Sequence, residues 1–386
     1  MTDPLSSPLL SSSSIISVID STSLDDTLGN SIRRSVAPFE MHSREAVPDR
    51  LLKTLSFILV GGVIFLIFVG GLVKSHEAGL SVPDWPTTYG ENMFLFPYEK
   101  WIGGIYYEHG HRLLASVVGF ITVCLAVATL FRERRWLPRL LSIVAVLTVI
   151  LQGVLGGLTV WYQLPPAISI AHGLLAQTFF LLTISLAYLQ STASFSRNEA
   201  DLSDGTPPSS EGLRSLRSFA IGVVVTIYLQ LIAGAVMRHN GAGMALLDFP
   251  TMGGSYLPSL SSSVIAHANE LRASVGLPAV GLLPVALHLI HRVGGMIVVI
   301  AVALLLCRVH PFSTQRTLQL PALTIRAGKL LGGLTVVQFG LGVVSILTVR
   351  EPLLTSLHVA VGAAVLGSAF VMVLSLYQPR GTFRQE

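Results

Sequence analysis

Residues 108–131 read EHGHRLLASVVGFITVCLAVATLF, in which a short polar stretch leads directly into a long apolar run. Residues 288–307, HLIHRVGGMIVVIAVALLLC, repeat this arrangement, so that His111-Arg112 recurs as His291-Arg292. A membrane-crossing helix needs roughly 20 apolar residues, and neither run alternates apolar and polar residues as a strand would. Both stretches are therefore predicted to be transmembrane helices that begin with a histidine and an arginine.

The composition of the whole chain is that of an integral membrane protein. Its 386 residues are 51% hydrophobic and only 12% charged, whereas soluble domains carry about 25% charged residues. The sequence therefore predicts an all-α, polytopic membrane protein with eight transmembrane helices. The predicted spans are 53–74, 112–131, 139–161, 170–191, 218–237, 284–307, 327–349 and 357–377.

The basic residues follow membrane topology and do not form a patch for nucleic acid, which we exclude as a partner. The net charge is +4 at pH 7, and most lysines and arginines lie before the first span, after the even-numbered spans and at the end of the chain. Cytoplasmic segments of membrane proteins carry such an excess. Both termini are thus predicted to be cytoplasmic, and every even-numbered helix starts at the outer face.

Four histidines open the even-numbered spans and form two pairs related by the repeat. Histidine is costly in lipid, and paired imidazoles from facing helices are one way in which a bundle holds a heme iron. The pattern predicts two bis-histidine heme sites near the outer face. For each histidine taken singly, the alternative is a hydrogen-bonded packing residue. The predicted ligands are His111 and His172 in the front half, and His291 and His358 in the back half.

The repeat divides the chain into two pseudo-symmetric four-helix bundles. Residues 78–86, AGLSVPDWP, match residues 242–250, AGMALLDFP, and each segment follows an odd-numbered helix. Because each half has an even number of helices, the repeats run parallel. The predicted parts are a flexible cytoplasmic tail at 1–52, the front half at 53–191, a polar linker at 192–217, the back half at 218–377 and a cytoplasmic tail at 378–386.

One chemical difference separates the two halves. Glu108 and His111 are three residues apart and share a helix face, whereas the back half has His288 at the position of Glu108. We interpret this lone carboxylate as catalytic; a cap or helix-dipole partner is the alternative. Arg112 and Arg292 are predicted to pair with heme propionates, with snorkelling to lipid headgroups as the alternative.

The two long outer loops differ in composition. The loop at 75–108 is rich in aromatic residues, which suit a membrane interface, and the loop at 238–283 holds mostly small residues. We expect a short interfacial helix in the first loop. We also expect His109, which points away from the Glu108–His111 face, to lie at the interface.

These residues resemble those of the heme A synthase family over about residues 53–377. The resemblance rests on Ala78-Gly79-Leu80-Ser81 with Pro83-Asp84-Trp85-Pro86, on Glu108-x-x-His111-Arg112, and on the later His172, His291-Arg292 and His358. Members of that family oxidise the C8 methyl group of heme O to a formyl group, which gives heme A for cytochrome oxidase. The resemblance implies a multi-pass protein of the inner (plasma) membrane, in contact with lipid.

The resemblance also implies a role for each site residue. His291 and His358 would ligate a resident heme b, and His111 and His172 would mark the site of the substrate heme O. Glu108 would stabilise positive charge developing at the methyl carbon, or handle protons. The implied partners are an electron donor, heme O synthase and cytochrome oxidase assembly factors; homo-oligomer formation is left open.

The sequence departs from the family in the first outer loop. Many bacterial members carry a cysteine pair there, where this chain has Val82 and Thr88, and His76-Glu77 replaces the small residues usual before Ala78.

Two other functions fit the histidines. A diheme b-type electron-transfer protein would use the same four histidines, but it does not explain why only the front half keeps Glu108. A non-catalytic heme carrier would also use them, if this branch of the family has lost activity.

Overall fold

The computed structural model describes residues 49–199, 210–257, 259–314 and 320–377, and within these ranges it contains nine α-helices. Eight of them are long and apolar enough to cross a membrane, which confirms the predicted all-α polytopic class. The helices are α1 Arg50–Ser75, α2 Gly104–Arg132, α3 Trp136–Trp161, α4 Pro166–Glu199, α5 Ser210–His239, α6 Ser262–Ser274, α7 Leu282–Thr314, α8 Ala322–Leu347 and α9 Pro352–Leu376.

Local capping fixes where several helices begin. The Asp49 carboxylate accepts hydrogen bonds from the first backbone N–H groups of α1, and Glu351 does the same for Leu354 in α9. Pro352 occupies the first turn of α9, where a missing N–H group costs nothing. Gly103 precedes α2 with a positive φ of 56°, a backbone conformation that glycine adopts without strain.

Each half of the membrane region is a closed ring of four helices. In the front half α1 contacts α2, α2 contacts α3, α3 contacts α4, and α4 returns to α1; α5, α7, α8 and α9 repeat this order in the back half. Across the halves α1 packs against α9, and α4 packs against both α5 and α9. The four helices of each half therefore contact one another in the same order.

Helix α9 is the most enclosed element, with 61% of its apolar window buried against 17% for α3, α5 and α8. Its Leu366 and Met372 are fully buried in the back-half core. On the facing side, Gly367 lies so close to α4 that an added Cβ would come within 2.9 Å of Ile184 and Phe180. Small residues allow such close packing of helices in lipid, and here they join the two halves.

The outer loops differ from the expectation. The first loop contains only a three-residue 3-10 turn, Tyr98–Lys100, and the longer helix, α6, lies in the second loop. The first loop therefore has a short 3-10 helix but no α-helix, and an α-helix forms in the second loop, where none was expected. Aromatic content suggested a helix in the first loop, but α6 forms because Ser261 caps its N-terminus and because Val264 and Ala268 pack against α7 residues Val285 and Leu289.

The predicted tails and linker fall partly outside the described residues. The tail at 378–386 and residues 1–48 of the amino-terminal tail are not described. Helix α4 continues to Glu199, and α5 starts at Ser210. Helical structure therefore extends from both sides into the predicted linker at 192–217.

The central position of α9 leads to a prediction about stability. Leu366→Ala should lower the free energy of unfolding by about 2 kcal/mol, the low end of the range for buried leucines, because lipid removes part of the hydrophobic driving force. Leu353→Ala, on the same helix but 50% exposed, serves as the control. Unfolding in mixed detergent micelles measures both; equal losses would contradict the central role of α9.

Candidate functional site

The four predicted ligands lie within the first three turns of α2, α4, α7 and α9. Because these helices all start at the same end of the bundle, the structure brings the four imidazoles to one side of the membrane region. Each side chain is half-buried.

Each imidazole packs against a glycine of the preceding membrane helix. A Cβ atom added to that glycine would lie 2.9–3.5 Å from the Cε1 atom of the ring, which is close enough to displace it at three of the four positions. The pairs are Gly70 with His111, Gly156 with His172, Gly234 with His291 and Gly342 with His358. Sequence reasoning missed these glycines, although they recur at matched positions of the repeat and could have been found from it.

The two imidazoles of the back-half pair lie close together. The ring centroids of His291 and His358 are 6.4 Å apart, and the ring planes are nearly perpendicular, at 80°. With metal–nitrogen bonds of about 2.0–2.1 Å, as imidazole makes to zinc, two imidazoles on opposite sides of a metal have centroids roughly 6 Å apart. The observed separation fits a bis-histidine iron.

Neighbouring glutamines hold these two rings. The amide nitrogen of Gln230 is 3.0 Å from Nδ1 of His291. Nδ1 of His358 is 3.2 Å from the backbone oxygen of Gln338, and donation of its proton there leaves the lone pair on Nε2, the form that binds a metal. The side-chain amide of Gln338 approaches that Nε2 at 3.4 Å.

The front-half pair is less engaged by the protein. Nδ1 of His111 is buried and has no hydrogen-bond partner among the described residues. The side-chain amide of Gln152 donates to the backbone oxygen of His172 at 3.2 Å, and the backbone of Gln152 also interacts with the His172 ring. Buried polar atoms without partners are rare in folded proteins, so the His111 ring can take a ligand. The ring separation of the back pair and the unpartnered His111 nitrogen therefore fit the predicted heme groups.

Arg112 clamps the first outer loop onto α2. Its guanidinium donates hydrogen bonds to three loop carbonyls and to the Glu108 carboxylate, which is 2.6 Å away. The other oxygen of Glu108 accepts the backbone N–H of Val82 at 2.8 Å. Glu108 is only 4% exposed, and both of its oxygens are engaged. The loop carbonyls belong to Val82, Asp84 and Thr87.

The back half repeats this clamp with a histidine in place of the carboxylate. Arg292 donates from Nε to His288 at 3.2 Å, and Nδ1 of His288 lies 3.2 Å from the backbone N–H of Leu246. With two donors directed at it, His288 acts as an uncharged acceptor, and it can satisfy only one of them at a time. The loop carbonyls that Arg292 binds belong to Leu246, Asp248 and Thr251.

These contacts give the two arginines a role that the sequence did not reveal. The prediction paired Arg112 and Arg292 with propionates, whereas in the structure their donors are directed at the outer loops. The sequence did not indicate these contacts, because the carbonyls belong to loop residues that lie 25 to 46 positions away in the chain. Each arginine thus holds a loop over the histidine that precedes it.

A carboxylate stabilises each clamped loop from inside. Burial acts to raise the pKa of Asp84, but hydrogen bonds from the N–H groups of Gly90 and Tyr89 and from the Thr87 hydroxyl outweigh burial, and the pKa is lowered. The pKa of Asp248 is lowered in the same way, against burial, by N–H groups of the second loop. Both groups are therefore ionised at neutral pH.

His109 is not at the membrane interface, so that expectation was wrong. The side chain is fully buried beneath the first loop, with Nδ1 3.1 Å from the Thr88 hydroxyl. Trp101 and Phe96 pack around its ring, at centroid distances of 4.6 and 5.2 Å. The loop folds back over the start of α2, which helical periodicity alone does not indicate. Val82 is also fully buried here.

Two pairs of histidines at one end of eight membrane-length helices define a class of multi-pass membrane protein with paired imidazoles. A model of the cytochrome oxidase assembly protein family matches residues 53–370, and the chain belongs to that family.

Its relatives are similar over most of their length, at modest identity. The chain is 26% identical to a heme A synthase of Halalkalibacterium halodurans over 338 residues, which cover 84% of this chain and 98% of that protein. It is 28% identical to a heme A synthase of Chelativorans sp., covering 79% and 85%. A heme A synthase of Shewanella oneidensis is 25% identical, covering 81% and 91%.

The contact between glycine and imidazole predicts the effect of a single methyl group. Gly234→Ala would place its Cβ 2.9 Å from Cε1 of His291 and should displace the ring. We expect heme retention in the back half to weaken about 10- to 100-fold, the range seen when groups that orient metal-bound histidines are changed. Heme content per purified chain, from the absorption spectrum, measures this.

Gly222→Ala is the matched control, because it lies on the same helix and an added Cβ meets nothing within 4 Å. It should keep its heme and gain roughly 0.5–1 kcal/mol of helix stability. Full heme retention in the Gly234→Ala protein would show that this packing does not position His291.

Proposed function

We propose that the protein is a heme A synthase, an oxidoreductase that converts the C8 methyl group of heme O to a formyl group and so supplies heme A to cytochrome oxidase. Family membership and the names of the relatives support this proposal. One observation carries it. The two histidine sites are built from equivalent helices, glycines and arginine contacts, but the front site has Glu108 where the back site has His288.

The two sites then have different occupants. His291 and His358 hold a resident heme b, and their ring separation of 6.4 Å supports this assignment. His111 and His172, with Arg112 holding the loop above them, bind the substrate heme O. When bound, heme b supplies reversible one-electron transfer. Arg292 holds the second loop over the heme b site.

Glu108 stabilises positive charge that develops on the reacting carbon and accepts a proton that the reaction releases. The methyl carbon first loses two electrons and takes an oxygen atom from water to become hydroxymethyl, and then loses two more electrons to become formyl. Each step also releases two protons, and the electrons pass to an external electron acceptor. Glu108 lies one helical turn before His111, and Arg112 fixes the position of its carboxylate. A fixed negative charge in a water-poor site stabilises positive charge that develops on a nearby carbon. The same carboxylate accepts a released proton.

The back half carries the complementary charge. Arg292 faces an uncharged imidazole, whereas Arg112 faces a carboxylate, so the surroundings of the back pair are more positive by one charge. Positive charge stabilises the reduced state of a redox group. Electrons removed at the front pair are therefore drawn toward the back pair.

The proposed surroundings follow from the same charges. We place the protein in the inner (plasma) membrane with both termini in the cytoplasm, which puts the histidine sites at the outer side. Heme O synthase supplies the substrate, and cytochrome oxidase assembly factors receive the product. An electron donor or acceptor completes the cycle.

A change at Glu108 tests the reaction. Glu108→Gln keeps an oxygen for the Val82 N–H but removes the charge, so heme A formation should fall at least about 100-fold while bound heme b stays. Heme extraction and mass analysis from cells that make heme O measure both. Glu91→Gln is the control, an exposed carboxylate of the same loop that pairs with Lys100, and it should remain active.

Unchanged conversion of heme O in the Glu108→Gln protein would show that Glu108 has only a structural role. Heme b bound in the wild-type protein, with heme O left unconverted although a redox partner is supplied, would favour the diheme electron-transfer protein.

The four histidines should separate into two phenotypes. His291→Ala and His358→Ala should each remove the resident heme b. His111→Ala and His172→Ala should keep it and abolish conversion of heme O. Quantitative heme extraction of the purified variants measures the first effect, and heme A formation measures the second. The same heme loss in all four variants would contradict this division.

A further inference from the structure

The outer ends of α1 and α5 carry two cations that the structure places together between the halves. Arg238 is the fourth residue after Gly234, and it reaches across to α1. Its Nη2 donates hydrogen bonds to the backbone oxygen of Gly71 and to the hydroxyl of Ser75, both at 2.9 Å. Lys74 belongs to the same turn of α1 as these two acceptors, at this junction of the halves.

The positive charge of this junction is only partly balanced by the protein. Neither Lys74 nor Arg238 forms an ion pair within the described part of the chain, and the nearby carboxylate of Glu77 is paired with Arg350 at 2.8 Å. Glu77 also attracts Lys74, but this one carboxylate faces three cations, Lys74, Arg238 and Arg350. Half-buried cations without a counter-charge are costly at the edge of a membrane, so an anionic group is expected to bind here.

The junction also lies one helical turn beyond the glycines that pack against the histidines. Gly70 contacts His111 of the front pair, and Gly234 contacts His291 of the back pair. Lys74 and Arg238 each follow one of these glycines by four residues, which places them one turn nearer the outer ends of α1 and α5. A bound anion at this junction can therefore belong to a group held by either pair.

We propose that Lys74 and Arg238 form a carboxylate-binding site that takes propionate groups of the porphyrins held by the two histidine pairs. This inference rests on the proposed function, since it takes both pairs to hold hemes. Arg112 and Arg292, the other cations beside the histidines, direct their donors at the loops. Lys74 and Arg238 keep donors for a ligand, and a charge-assisted bond to a carboxylate is among the stronger ones.

An esterified porphyrin tests the site directly. The full chain, in nanodiscs of neutral lipid, is titrated with iron protoporphyrin IX and with its dimethyl ester, and the Soret band reports binding. The wild type should bind the free acid roughly tenfold or more tightly than the ester, the effect of one charged hydrogen bond. Lys74→Gln should lose most of this preference.

Lys100→Gln is the matched control, because Lys100 is an exposed lysine of the first loop that pairs with Glu91. It should keep the wild-type preference. Equal binding of acid and ester by the wild type, or a full preference in Lys74→Gln, would overturn the proposal. So would loss of the preference in nanodiscs of anionic lipid, since the cations would then serve lipid headgroups.

A second variant guards against misfolding, because Arg238 also joins the halves. Arg238→Lys keeps the charge and should keep the preference, whereas Arg238→Gln should lower both the preference and the midpoint potential of the heme held by His291 and His358. An unchanged potential in folded Arg238→Gln would contradict the site. A helical circular dichroism spectrum like that of the wild type shows that each variant is folded.

The same preparations separate this inference from the proposed reaction. A wild-type protein that prefers the free acid but does not convert heme O would leave the carboxylate site standing and refute the reaction. Conversion of heme O without any preference for the free acid would refute only the site.

Discussion

The clamp between an arginine and the outer loop is the interaction on which both sites depend. Arg112 and Arg292 each bind three carbonyls of their loop. These carbonyls lie near the membrane boundary, where backbone groups without partners are expensive. By binding them, each arginine holds its loop against the start of the helix that carries the preceding histidine. The clamp also requires an acceptor one turn before the arginine, which fixes the position of Glu108 and His288.

Much of this architecture was readable from the sequence, for a physical reason. A transmembrane helix is defined by its own apolar residues, so the eight spans and the position of His111 in α2 follow from local sequence. The burial of His109, the partners of Arg112 and the helix α6 depend on loops that fold back onto distant residues. Residue periodicity carries no information about such contacts. The glycines that face the imidazoles could be predicted only in part. The repeat shows that they recur, but only the packed structure shows that they contact the histidine rings.

The duplicated design makes Glu108 interpretable. Taken alone, its two hydrogen bonds would describe a residue that holds a loop in place. The back half shows that a histidine performs the same structural task. A carboxylate is therefore not needed for the clamp, and its negative charge is the property that distinguishes the front site. The comparison is internal to one chain, so differences in fold or membrane do not complicate it.

The placement of charge across both sites is consistent with the proposed chemistry. A negative group beside the front pair favours loss of electrons there, and the uncompensated Arg292 favours their arrival at the back pair. Lys74 and Arg238 add positive charge between the pairs, which would be costly in lipid without an anionic partner. Two hemes bring four propionates, so the substrate and the cofactor would complete the electrostatics of the protein. Loading with heme and stability of the junction between halves are then linked, because any ligand that binds only the folded state stabilises it.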